Sequence, residues 1–418
     1  MRLAGSEQAA GRAPSGLLLG LSLAQLISWG STFYLFGLLV QPIELALHID
    51  RTQSALAFSL MLLAEGAAAL PVGRWIDRGH ARRVMCGGSV LVAACLLAHT
   101  QVSHLMGFYA VWACLGVALA GVLYTPVFAV VTRRFPLDFR RAIITLTFLG
   151  GLASTVFIPL MQWSITGLGW RPTLMWLACL HVLVCLPLHA YFLRGELPQA
   201  AVAARAVAAS MPLKFWLRSP VFWLIGIFTA LGMAVTSSLP AHLVPLLQEQ
   251  HLPAHWVVLV PAGIGALQVC GRILLYRLEG GFDVHQVNLG IVLLMPVSLL
   301  LLAGLLVLGH TGQATTPLAL ALALGFAALY GMANGMLTIV KGTAVAQYVD
   351  RAQVAALNGV LGLPTALARA LTPALVGALW GVSQGYGWGV ALLWSLSVLS
   401  CAAFALAQRL AHRERLSI

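Results

Sequence analysis

The sequence predicts an all-α membrane protein with twelve transmembrane helices, arranged as two pseudo-symmetric six-helix bundles. Three observations carry this prediction. The chain of 418 residues is 60% hydrophobic, with a mean hydropathy of +0.91. Only 9% of it is charged, against roughly a quarter of a soluble domain. Its apolar residues also fall into runs that match the ~20 helical residues needed to cross a ~30 Å hydrocarbon core. At about 35 residues per span and connection, twelve spans fill the length. The same arithmetic excludes disorder, a collagen-like chain and a disulfide scaffold.

In chain order, the first six spans fall near 17–43, 53–73, 83–100, 105–132, 142–166 and 171–192. The second six fall near 220–247, 255–276, 286–308, 318–341, 353–381 and 387–408. These runs are too long for strands and lack alternation, and backbone in lipid must be satisfied within a helix. The first run is far longer than the 7–15-residue core of a signal peptide, and no cleavage site follows it. Segment 194–219 (RGELPQAAVAARAVAASMPLKFWLRS) is the longest polar-leaning stretch. It reads as a cytoplasmic linker between an N-terminal bundle, 1–193, and a C-terminal bundle, 220–418. The halves echo each other. GLGWRPTLMW at 167–176 and GYGWGVALLW at 385–394 share five residues in register, two of them Trp, between the fifth and sixth span of each half. Gly73-Arg74 and Gly271-Arg272 likewise end the second span of each half. Parallel six-span repeats around a midplane site are a transporter architecture.

Charge sets the orientation. Of 24 Lys and Arg, 22 are Arg, clustered in bursts between the apolar runs. With the N-terminus inside, twenty of these basic residues are cytoplasmic or at that edge, Lys341 among them. Arg51 and Arg171 fall outside, and Arg272 and Arg369 stay within spans. This asymmetry fits a multi-pass protein of the inner (cytoplasmic) membrane with both termini cytoplasmic. The net charge of +12 therefore serves topology in the lipid bilayer, and no nucleic-acid partner is expected. All seven cysteines lie in apolar runs without CxxC spacing and read as small packing residues.

Between the second and third spans stands Gly73-Arg74-Trp75-Ile76-Asp77-Arg78-Gly79-His80-Ala81-Arg82-Arg83. Asp77 is the only acid among these cations. Carboxylate–guanidinium pairs there would bind one helix end to a neighbour in one state and release it in another. The alternative is that the arginines only set topology. This loop resembles the signature of the major facilitator superfamily, with its second glycine, Gly79, one position early. The resemblance implies the twelve-helix major facilitator fold and a gating motif of Gly73, Asp77, Arg78, Gly79, Arg82 and Arg83. Further stretches are similar to the monocarboxylate porter and oxalate–formate antiporter group. They are Phe135-Pro-Leu-Asp-Phe-Arg140-Arg141-Ala142 with Gly150-Gly151, His242-Leu-Val-Pro245-Leu-Leu in span seven, and Gly271-Arg272 in span eight.

An ionisable residue inside a span costs roughly 2.5–3.5 kcal/mol on insertion scales, so each asks for a reason. Arg272 lies in LQVCGRILLY and Arg369 in PTALARALTP. In the group just named, a basic residue at each of these places contacts the substrate carboxylate, and the resemblance implies that role for both arginines. Guanidinium suits it, being always charged and forked towards carboxylate oxygens. Arg272 aligns with Arg74 through the internal repeat, so a gate role at the cytoplasmic edge stays open. Neither arginine has an acidic partner in the spans of the second half. Glu65, near the centre of span two, is read as a proton-coupling site, a partner for an intramembrane arginine, or a cavity residue. His242, between Pro240 and Pro245, is read as a proton or anion contact or as a buried structural histidine, on a helix expected to kink. Tyr34, Tyr124, Gln268, Asn334 and Asn358 are polar positions placed to line a cavity or to tie helices together.

The sequence has no GxxxxGK[ST] loop, no HExxH and no paired Cys/His spacing, so no ATP hydrolysis, metal, cofactor or enzyme activity is expected. These readings converge on a secondary active transporter of a small organic anion, a carboxylate, working by alternating access as a proton-coupled carrier or an exchanger. It is expected to function as a monomer. A multidrug or metabolite efflux carrier is the alternative.

Overall fold

The computed structural model describes residues 15–134, 139–194, 213–278, 282–311, 316–350 and 354–416. Most of the expected linker, 195–212, and the entry to span five, 135–138, lie outside the described residues, as does the side chain of Asp77. Twelve helices are long and apolar enough to cross a membrane. The first six are α1 (Gly16–Leu47), α2 (Arg51–Trp75), α3 (Arg78–Thr100), α4 (Leu105–Val131), α5 (Thr145–Leu168) and α6 (Trp170–Phe192). They are followed by α7 (Pro220–Glu249), α8 (Ala254–Leu275), α9 (Val284–Gly309), α10 (Pro317–Tyr348), α11 (Leu357–Ser383) and α12 (Gly387–Arg413). Short connections make neighbours antiparallel. Both chain ends therefore reach one face, the terminal face, with the far face opposite.

Local chemistry explains where the helices bend. Helix α4 breaks at Leu123, whose backbone is extended, three residues before Pro126. Proline has no N–H for the Val122 carbonyl, and the Gln25 side chain from α1 donates to that carbonyl instead, at 2.5 Å. Wide π-type turns occur at Trp29–Phe33 in α1 and at His181–Cys185 in α6, and the chain kinks through Ile76–His80 where α2 gives way to α3. At that kink Gly79 adopts φ +89°, a left-handed conformation that costs any side chain. The glycine at 79 is thus placed by the turn itself. By contrast, α7 runs as a continuous helix through Pro240 and Pro245, so the prolines do not break it. Helix α10 also continues seven residues beyond Lys341, to Tyr348.

Each half has its own aromatic knot. In the first, Phe36 packs on Phe58 with ring centroids 4.7 Å apart and on Trp112 at 4.9 Å. In the second, Phe228 meets Phe404 at 4.5 Å, with Tyr348 edge-on to the same ring. Between the halves, α1 packs on α7, α2 on α11 and α5 on α8.

The α2–α11 seam is tight at one end only. Near the far face Thr52 donates to the Gly377 carbonyl at 3.1 Å, and Ser59 accepts from the Ala374 amide at 3.0 Å. A Cβ added at Gly377 would lie 2.5 Å from that of Ala55, and one at Gly66 would lie 2.8 Å from that of Ala366. Further down the same face of α11, Gly362 and Gly359 meet nothing within 4 Å, and neither does Gly73 at the end of α2. The two helices part towards the terminal face.

Candidate functional site

Two polar constellations lie between the halves. At the far face Arg51, the first residue of α2, is only 6% exposed and donates through Nε and Nη2 to both Glu44 oxygens, at 2.7 and 3.2 Å. Its Nη1 donates to Glu249 at the end of α7, at 3.2 Å, and to the Tyr386 hydroxyl, at 2.7 Å. Trp380 covers the guanidinium at 4.7 Å from its ring centroid and donates its indole N–H to Glu249 at 2.9 Å. His242 belongs to this cluster. Its Nε2 lies 2.9 Å from the Pro373 carbonyl, so that nitrogen carries the proton, and its Nδ1 accepts from Tyr386 at 3.4 Å. Both ring nitrogens of His242 are therefore engaged in tying α7 to α11 and to the Gly385–Gly387 turn.

The second constellation lies deeper. Glu65 in α2 and Arg369 in α11 form an ion pair across the seam at 3.2 Å, with 12% and 19% of their side chains exposed. Of the three readings of Glu65, the partner of an intramembrane arginine is the arrangement present. The pair also modifies the expectation that Arg369 has no acidic partner, because its partner comes from the other half of the molecule. The Arg369 Nε stays buried without a hydrogen-bond partner. Lys341 in α10 points into the same region. Its ammonium lies 3.0 Å from the Met233 sulfur and within electrostatic reach of Arg369. Met233 is thirteen residues into α7, about 20 Å along a helix rising 1.5 Å per residue. Lys341 is thus inside the bundle rather than at its edge, correcting its assignment among the topology-setting cations.

Arg272 in α8 is 6% exposed and sits on the other seam. Its Nη1 donates to the Thr147 carbonyl of α5 at 2.6 Å and its Nε to the Gly335 carbonyl of α10 at 3.4 Å. Among the described residues no carboxylate pairs with it. Tyr34 and Tyr124 lie within electrostatic reach of the guanidinium. The Gly150-Gly151 pair has a physical purpose here. Gly150 admits the Tyr124 hydroxyl, and a Cβ at Gly151 would sit 2.8 Å from Arg272 Nη1. One turn away on α8, Gln268 lines a cavity with Tyr34, Tyr330, Asn334, Leu243 and Ile264. The buried Tyr330 hydroxyl has no partner there. Nearby, the Thr155 hydroxyl of α5 donates to the Ala262 carbonyl at 2.7 Å and accepts from the Ala266 amide at 2.9 Å, inserting into the α8 ladder.

The structure thus brings Glu65 and Arg369 together, sets Tyr34 and Tyr124 beside Arg272, and puts His242 elsewhere, in the far-face cluster. Sequence reasoning missed Lys341 as a half-buried cation inside the bundle, and it missed Arg51 with Glu44 and Glu249. At the terminal face Arg78, Arg82 and Arg83 are exposed, and Gly73 has open space about it.

Comparisons with known proteins agree with the fold. Residues 21–328 match the family model described as Major Facilitator Superfamily. The chain is 27% identical over 258 residues to the uncharacterized MFS-type transporter YcxA of Bacillus subtilis (strain 168), a match covering 59% of this chain and 60% of that protein. Among solved structures, a bacterial homolog to the human lysosomal transporter Spinster, in an inward-facing and occupied conformation, aligns with a TM-score of 0.66 and 16% identity. That alignment covers 96% of this chain and 98% of the other. The nucleoside transporter NupG aligns with a TM-score of 0.69 and 16% identity, over 94% and 98% of the two chains. At those identities the structural likeness speaks for the fold alone.

Proposed function

The chain belongs to the Major Facilitator Superfamily, and from that premise we propose that it is a secondary active carrier of a small organic anion, a carboxylate, working by alternating access. The observation that carries this reading is a charge imbalance between the halves. Among the described residues three cations, Arg272, Lys341 and Arg369, stand in the interior against one carboxylate, Glu65. Buried charge is costly when unmatched, so the excess of positive charge favours an anion as the missing partner. Resemblance to the monocarboxylate and oxalate–formate group supports the same class.

In this reading Arg369 and Lys341 hold the carboxylate from the second half, and Glu65 yields Arg369 to the substrate when it takes a proton. Arg272 closes the opposite seam, with Tyr34 and Tyr124 supplying hydrogen bonds at its edge. The terminal face is cytoplasmic, the halves 1–193 and 220–418 rock about the seams, and Asp77 with Arg78, Arg82 and Arg83 gates that face. The protein works as a monomer in the inner membrane.

The test is a thermal-shift screen of the purified protein against mono- and dicarboxylates, with Lys341→Met alongside. At least one carboxylate should stabilise the wild type, and the shift should shrink in Lys341→Met. The apolar cavity wall of Ile158, Leu239, Leu243 and Ile264 favours the second reading, efflux of an amphipathic drug or metabolite. Stabilisation by such a solute and by no carboxylate would select it.

A further inference from the structure

Away from both seams, inside the first bundle, α6 presents His181, Cys185 and His189 to α1 and α3. All three side chains are fully buried, as are Ser31 and Ser89, which meet His181 and His189, and Ser28, which lies beside Cys185. Hydrogen-bond donors and acceptors fix the protonation pattern. Ser31 donates its hydroxyl hydrogen to the Ile27 carbonyl at 2.7 Å, so at 2.8 Å from His181 Nε2 it accepts, and Nε2 carries the imidazole proton. Ser89 donates to the Met85 carbonyl at 3.2 Å, so at 2.9 Å from His189 Nδ1 it accepts in the same way. That leaves His181 Nδ1 and His189 Nε2 as bare acceptors, and both are buried without a partner. With the Ser28 hydroxyl they make three buried polar atoms without a hydrogen-bond partner on the facing sides of α1, α3 and α6.

Buried acceptors without donors are costly, and native proteins leave few of them unmatched. Among the described residues no group of His, Cys, Asp and Glu is arranged to hold a metal ion. Water answers the requirement, since it donates to bare nitrogens and oxygens and typically satisfies about three buried partners.

We infer that the α1–α3–α6 interface holds a file of ordered water molecules running from His189 near the terminal face to His181 at mid-helix. The eight residues between them span about 12 Å of helix. Each imidazole then meets the file with a bare nitrogen while its other nitrogen keeps a fixed N–H bond. The file is therefore a proton-accepting one, separate from the seams where the anion is proposed to bind.

The experiment is hydroxyl-radical footprinting of the purified full chain by X-ray radiolysis, where radicals from bound water label adjacent side chains. Three buried cysteines provide an internal scale: Cys185 at 0% exposure, Cys95 at 5% and Cys401 at 7%. Exposure alone ranks Cys185 as the slowest to be labelled. The water file reverses that order, with Cys185 labelled several-fold faster than the other two. Ser28→Val, which adds a methyl group beside the thiol, should bring Cys185 down to the rate of Cys95, and Ser28→Thr serves if that variant is not monodisperse. Slowest labelling of Cys185 in the wild type overturns the inference. So does fast labelling that persists in the filled variants, which would put the water elsewhere. Neither result depends on the transported solute.

Discussion

The far-face cluster and the deeper charged group are built from the same residue types and are wired in opposite ways. At the far face one guanidinium meets two carboxylates, a phenol and an indole ring, and all four partners converge on Arg51. In the interior, among the described residues, the ratio is inverted: Arg272, Lys341 and Arg369 stand against one carboxylate, which pairs with Arg369 alone, one guanidinium nitrogen is left without a partner, and one ammonium rests against a thioether. A saturated cluster holds a closed end closed. An unsaturated one is suited to receiving something. The difference teaches that lock and site are distinguished less by residue type than by how completely each charge is already answered.

The strongest way to break this comparison is to unlock the saturated end. Arg51→Ala leaves Glu44 and Glu249 facing each other with no cation, and removing one partner of a buried pair typically costs about 3–5 kcal/mol. The expected result is a clear loss of thermal stability. In a Thr52→Cys background it should also bring a rise in thiol labelling, because the α2–α11 contact at Gly377 opens. If Arg51→Ala melts like the parent and the introduced thiol stays protected, the far-face cluster is not a lock.

The interior is probed next through Arg369. Hydrogen bonds to charged groups are worth about 1.5–3 kcal/mol, so Arg369→Gln should weaken carboxylate binding about tenfold or more in the thermal-shift assay. Arg369→Lys, keeping the charge without the fork, should weaken it less. The empty Arg369→Gln carrier should also be less stable than the parent, since Glu65 loses its partner. Equal carboxylate affinity in all three proteins would remove Arg369 from the site.

How much of this was legible beforehand depends on whether a signal is local. Twelve spans could be read because hydropathy accumulates within each segment, and Gly79 stood out because a signature loop surrounds it. Lys341 was misread for an equally local reason. It follows the last strongly apolar run, but the helix continues through Gly342-Thr343-Ala344-Val345-Ala346-Gln347-Tyr348, where Ala344, Val345 and Tyr348 are buried on one face. Arg51 was read as a loop cation since its partners Glu249 and Tyr386 lie 198 and 335 residues away. Nothing in the sequence near Arg51 announces them. The Glu65–Arg369 pair spans 304 residues, yet each member was flagged as an intramembrane charge in need of a partner. The requirement was visible and the pairing was not.

A smaller effect is expected from Glu65→Gln. Neutralising Glu65 frees Arg369 from its one carboxylate and leaves a neutral amide of the same size. Carboxylate exchange in vesicles should persist, with affinity equal to or tighter than that of the parent. Acceleration of uptake by an inward pH gradient should disappear. A pH response identical to the parent's would leave Glu65 as a structural tie between α2 and α11.

The smallest expected effect separates the terminal face from both charged groups. Gly79 holds φ +89° at the kink joining α2 to α3, and a Cβ there meets nothing within 4 Å. Space is therefore not the constraint; backbone conformation is. Gly79→Ala should cost about 1–2 kcal/mol from the left-handed conformation alone, seen as a modest drop in melting temperature with carboxylate binding unchanged. Gly79→Asn should recover much of the loss, because asparagine tolerates this region better than alanine. If the turn also sets the pitch of the gating loop, Gly79→Ala should slow transport more than its stability loss explains, while Gly79→Asn transports near the parent rate. Equal transport by both variants would confine Gly79 to the turn and leave gating to the charged residues around it.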